Sequence, residues 1–219
     1  MSYLLRNPDV VLRLLGEHLV MTGISLVISV AIALPLSLLI YRNERLNTLV
    51  MGVLGVFYTI PSIALIILLI PLFGLNATSV VVALIIYTQV ILVRNFTTGL
   101  HAVDGVILEA AHGMGMSVFQ VWWRVQLPLA LPVMLAGVRI AAVVSVAVAT
   151  VGARFGAGGL GTILFEGVTQ TGRYDKIWAG AISVSSLALV INWGLARLEA
   201  YFDPKHRMRA RSMAGEQTA

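Results

Sequence analysis

A chain of 219 residues in which 58% are hydrophobic and only 11% charged cannot cover a water-facing surface, because soluble domains carry about a quarter charged residues. Its net charge of +5 comes from dispersed Lys and Arg, without the basic stripe on a polar domain that marks a nucleic-acid binder. The absence of cysteine excludes disulfides and thiolate metal sites. The composition therefore predicts an all-α, multi-pass membrane protein.

The first eighteen residues hold Arg6, Asp9, Arg13 and Glu17 and no short apolar core ending in small residues, so no removable signal peptide is expected. A bilayer core takes about 20 apolar residues per helix. Residues 19–40 are free of charge and give the first span. The run from 46 to 93 is also uncharged and too long for one helix; the turn residues at 74–79 divide it. Spans two and three are thus predicted at 46–73 and 80–100, span four at 129–151 and span five at 177–196. The whole chain, 1–219, reads as one transmembrane domain.

Orientation follows from the basic residues of the connections. With the N-terminus outside, Arg6, Arg13, Arg154, Arg173 and Lys176 are external. The other ten, including Lys205, Arg207, Arg209 and Arg211 of a basic tail at 203–219, border the cytoplasm. The C-terminus is then cytoplasmic and the tail is expected to be flexible. Pro35, Pro61, Pro71 and Pro132 fall in or beside the spans. Each removes a backbone donor, and in lipid the carbonyl so freed needs another partner. That suits either helices gathered round a path or the ordinary proline content of membrane helices.

The inner connection, 101–128, carries the most information. Asp104 can cap a helix opening at Gly105, and Val106, Ile107, Ala110, Ala111 and Met114 recur at helical spacing. Gly113 and Gly115 interrupt that helix, and Val118, Val121, Trp122 and Val125 form the stripe of a second short one. Pro128 opens span four. Two short helices round a Gly break make a rigid knob for a partner to grip.

Glu109-Ala110-Ala111, then Gly115, then Val125-Gln126-Leu127-Pro128 resembles the EAA signature of ABC-importer permeases. Every position of that pattern is met. Tyr58-Thr59-Ile60-Pro61-Ser62, Arg94-Asn95 and the glycine-rich 156–161 segment look most like the subgroup importing glycine betaine, choline and carnitine. The resemblance implies a five-helix permease of the cell's inner membrane, working with a second copy or a paralogue. It also implies an external binding protein and cytoplasmic ABC ATPase subunits that hold ATP and Mg, with no cofactor bound by this chain. Asp104, Glu109, Ala110, Ala111, Gly115, Val125, Leu127 and Pro128 then form the ATPase-coupling segment. No residue is expected to be catalytic.

Several patterns lead elsewhere. Gly156-x-Gly158-x-x-Gly161 matches a dinucleotide fingerprint but follows a span and lacks a βαβ unit. Together with Gly159 it is expected to form an external turn that meets the binding protein. Glu109-x-x-His112 is half of a di-iron pattern, with no intramembrane carboxylates to complete it. Tyr58, Pro61, Tyr87 and Arg139 are candidate path-lining residues. The two tyrosines either offer π faces to a passing cation or pack between helices. Arg139 lies about 16 Å beyond Pro128 at 1.5 Å per residue, deep enough to line a cavity, whereas Arg94 can snorkel from the inner end of span three. The alternative function is an ion-coupled secondary transporter. All ten acidic residues fall outside the predicted spans, against the usual buried ionisable groups of such carriers. The sequence also has no P-loop.

Overall fold

The computed structural model describes residues 2–202, and among these every regular element is a helix. A short α1 (Ser2–Arg6) leads into α2 (Pro8–Ile40), which begins well before residue 19 and is far longer than a bilayer requires. Proline at its start and Asp9 in its first turn suit a helix N-terminus.

The second predicted span is broken. It consists of α3 (Glu44–Thr59) and α4 (Ser62–Phe73), bent by 93°. Ile60 adopts φ −67° and ψ 125°, as the residue before a proline must when its α conformation is sterically blocked. The broken ladder needs a donor for its carbonyl, and the Tyr87 hydroxyl donates to the Ile60 carbonyl oxygen from α5 (Ala77–His101). Asn76 caps α5 by accepting from the Thr78 amide at 2.8 Å.

α5 is the centre of the bundle, with its buried residues spread along its whole length. On one side it meets α2, where Thr88 donates to the Ser29 hydroxyl at 2.7 Å and Gln89 to the Ser29 carbonyl at 3.2 Å. Short polar contacts of this kind tie helices where no hydrophobic force between them exists. On the other side lies α8 (Leu127–Gly152), and here glycines set the spacing. A methyl group on Gly99 would come within 2.9 Å of the Ala130 carbonyl, one on Gly152 within 2.5 Å of Val80, and one on Gly137 would overlap Asn95. Small residues let the backbones approach closely enough for dispersion to hold them.

Past Gly152, the chain turns through a glycine-rich loop into α9 (Gly161–Thr169) and returns in α10 (Tyr174–Phe202). α10 continues six residues beyond the predicted end at 196. Among the described residues, four helices are long and apolar enough to cross a membrane, and the bent pair makes a fifth traverse if it counts as one span. α3 has no buried residue at all, and α10 is the least enclosed of the four long helices. The basic tail lies outside the described residues.

Candidate functional site: the knob and the polar cavity

Between α5 and α8 stand α6 (Gly105–Gly113) and α7 (Val118–Val121). Asp104 caps α6, accepting from the Val106 amide at 3.0 Å. Gly115 turns the chain with φ +82°, a conformation that costs a residue with a Cβ. Ser117 and Gln120 then form a capping box: the Gln120 amide donates to the Ser117 hydroxyl at 3.3 Å and the Ser117 amide to the Gln120 side chain at 2.8 Å. The sequence reading passed over this box, although Ser-x-x-Gln before an apolar run announces it. His112 bonds through Nδ1 to the Leu108 carbonyl at 2.7 Å.

The knob is fastened from below and open above. Ala111, Val121 and Gln126 are buried, while Glu109, Ala110 and Gly115 are exposed. Val106 is 70% exposed, Met114 76% and Phe119 69%. These side chains form an exposed apolar patch on a capped element. Val125 and Leu127 are half-buried at its root. There the helix opens into a π turn, Trp122–Gln126, whose Leu127 amide donates back five residues to the Trp122 carbonyl. Pro128 supplies the cause: it has no N–H for the Arg124 carbonyl and its ring crowds that carbonyl.

At the opposite end of the bundle the glycine-rich loop packs against α2. Gly156, Gly158 and Gly159 have φ of +76°, +75° and +80°. The Gly159 amide donates to Glu17 Oε2 at 3.0 Å, and a methyl group on Gly159 would lie 2.9 Å from His18 Nδ1. Gly159 is buried against His18 of α2 and Gly161 against Thr150 and Ala153, whereas Gly156 is exposed. A run of exposed residues at this end is 168–174. It is flanked by Lys176, buried and paired to Glu166 at 2.8 Å with its ammonium 5.4 Å from the Tyr3 ring centre. Arg173 forks onto Asp175 at 3.0 Å and 3.3 Å, and this bonding raises its pKa above an already high value.

The candidate path residues separate. Pro61 makes the break in the second span. Tyr87 is buried and gives its hydroxyl to Ile60, so its part is structural. Arg139 turns to α10, where Nε meets Glu199 at 3.0 Å and Nη1 meets Asn192 at 3.3 Å. Glu199 lies beyond the predicted span at 177–196 but still within α10, which runs on to Phe202. Tyr58 instead borders a cavity of about 200 Å³ with Val90, Ile91, Arg94, Asn95 and Ile140.

A helical bundle with one broken span and a capped knob between its third and fourth traverses can now be compared with known proteins. Residues 25–208 match the family described as the binding-protein-dependent transport system inner membrane component. The chain belongs to that family. It is 36% identical to the carnitine transport permease protein OpuCB of Listeria monocytogenes, covering 89% of each chain. It is also 36% identical to the osmoprotectant import permease protein OsmW of Salmonella typhimurium, covering 93% of this chain and 96% of that one. The choline transport system permease protein OpuBD of Bacillus subtilis is 34% identical, with 95% and 92% covered. Among solved structures, an inward-facing MetNI methionine ABC transporter superposes with a TM-score of 0.79 over 90% of this chain and 98% of that one, at 23% identity. That likeness is one of fold.

Proposed function

We propose that the chain is the translocation subunit of an ATP-driven ABC importer, paired with a second permease and carrying an osmoprotectant of the glycine betaine, carnitine or choline type. The observation that carries this reading is the knob: the full Glu109 to Pro128 signature folds into two capped short helices that hold apolar side chains out beyond the bundle. Relatives named as carnitine, osmoprotectant and choline permeases over most of the chain support the solute class.

On this reading the knob is cytoplasmic and docks into an ATPase that holds ATP and Mg. The 168–174 surface faces an external binding protein. ATP binding draws the two ATPase subunits together and moves both knobs, and a ligand can drive such a change only through its differential affinity for the two states. Among the described residues, α3 presents a face with no covering side chains, including Gly52 and Gly55 with open space above them. This face suits the second permease.

The test is a tagged pull-down from gently solubilised native membranes beside a Glu109→Lys control. An ABC ATPase recovered with the native chain and depleted with the control is the expected result. If no ATPase accompanies the native chain while other membrane complexes survive, the reading is wrong.

A further inference from the structure

Arg94 occupies an unusual place. It lies seven residues before the end of α5, about 10 Å up the helix at 1.5 Å per residue. It shares its cavity with Tyr58, which lies two residues before the break in the middle of the bent span. Tyr87, Val90, Ile91 and Arg94 lie on one face of α5, spaced by three, four and seven residues. The two bundle arginines differ in one respect that matters. Arg139 is neutralised by Glu199, whereas Arg94 is exposed and, among the described residues, its guanidinium has neither an acidic partner nor a hydrogen bond. A guanidinium about 10 Å from the inner end of α5 can reach the interface, and here it also lines the cavity beside Tyr58 with no carboxylate against it, which leaves it free to bind an anionic group.

Tyr58 brings the second half. It is 44% exposed, and its ring is backed by Tyr87 at 5.5 Å between centroids. A tyrosine face attracts a quaternary ammonium group, and a guanidinium takes a carboxylate through two parallel hydrogen bonds. At about 200 Å³ the cavity is smaller than a drug-sized site of roughly 300 Å³ or more, and suits a small solute.

We propose that Tyr58 and Arg94 form a two-point site for a zwitterion, with the solute's carboxylate on the Arg94 guanidinium and its quaternary ammonium against the Tyr58 ring. The inference rests on the osmoprotectant reading and narrows it. Glycine betaine and carnitine carry a carboxylate and satisfy both points. Choline has none and uses the Tyr58 ring alone, so the Arg94 point acts only on the carboxylate-bearing solutes.

The experiment uses proteoliposomes holding the complete importer, with its binding protein saturated by radiolabelled glycine betaine, carnitine or choline, so that differences in capture drop out. Choline uptake within threefold of its native rate is expected in Arg94→Gln. Arg94→Gln should slow zwitterion uptake tenfold or more and Arg94→Lys less, while ATP hydrolysis stimulated by the loaded binding protein stays within twofold. Unchanged zwitterion uptake in Arg94→Gln overturns the site. So does a parallel fall in ATP hydrolysis or in choline uptake, which would mark Arg94 as structural. A native importer that hydrolyses ATP but moves none of the three solutes removes the osmoprotectant reading itself.

Discussion

Arg139, Glu199 and Asn192 form an ionic seam between α8 and α10, and its strength can be measured by removing the charges singly and together. Breaking a buried ion pair by deleting one partner costs about 3–5 kcal/mol, because the other charge is stranded. Here the two side chains are 30% and 28% exposed, so water or headgroups relieve part of that penalty and about 1–3 kcal/mol is expected for Glu199→Leu or Arg139→Leu. For a chain of this size each kcal/mol moves the unfolding midpoint by about 2–4 °C, which puts each single variant roughly 5 °C below the native protein. The double variant strands nothing and should recover most of the loss. Arg139→Lys should not restore stability, since one ammonium cannot reproduce a fork that reaches Glu199 through Nε and Asn192 through Nη1. Fluorescence-detected size exclusion after stepped heating of the detergent-solubilised protein reads these midpoints directly. Losses in the double variant that equal the sum of the two singles would refute the coupling.

Three further outcomes follow from the geometry. Tyr87→Phe leaves the Ile60 carbonyl without its donor inside the bundle and should cost about 1–3 kcal/mol, measured by the same heating series, whereas Tyr58→Phe, whose hydroxyl has no such duty, should leave the midpoint in place. Gly159→Val forces a branched side chain into a left-handed backbone and against His18, so it should destabilise by more than about 1 kcal/mol; a stable variant would contradict the closeness of loop and α2. Because the sequence has no cysteine, single cysteines report sidedness without background: Thr171→Cys should react with an impermeant maleimide on intact spheroplasts and Met114→Cys only after permeabilisation, and the reverse pattern would invert the orientation.

Much of this was legible in advance. Spans show in sequence because lipid excludes charge, and the uncharged run from 46 to 93 with its turn at 74–79 gave two traverses on that ground alone. The knob was equally readable, since Asp104 and Gly115 act locally, through a cap and a turn. The 93° break was hidden: Pro61 in an apolar run looks like any membrane proline, and only the position of Tyr87 on another helix decides that the chain stops and restarts there. Arg139 was assigned to the path because its depth could be counted while its partner could not. Glu199 fell outside the predicted span only because apolar character fades after 196, although α10 does not stop there. The packing of the glycine loop was hidden for a related reason. Glycines that let Glu17 and His18 approach cannot be told from glycines of an open turn until residues 142 positions apart are brought together.

The π turn at the root of α8 sets the phase of everything above it. A regular helix advances about 100° per residue, and a turn of five holds one residue more than its neighbours. Gly137 therefore meets Asn95, and Arg139 meets Glu199, at an azimuth inherited from that single additional residue. Pro128, far from either contact, is the phase marker of the bundle. Deleting any one residue within 122–126 would leave every side chain of α8 chemically intact and turn the whole helix by more than a quarter of a circle against its partners.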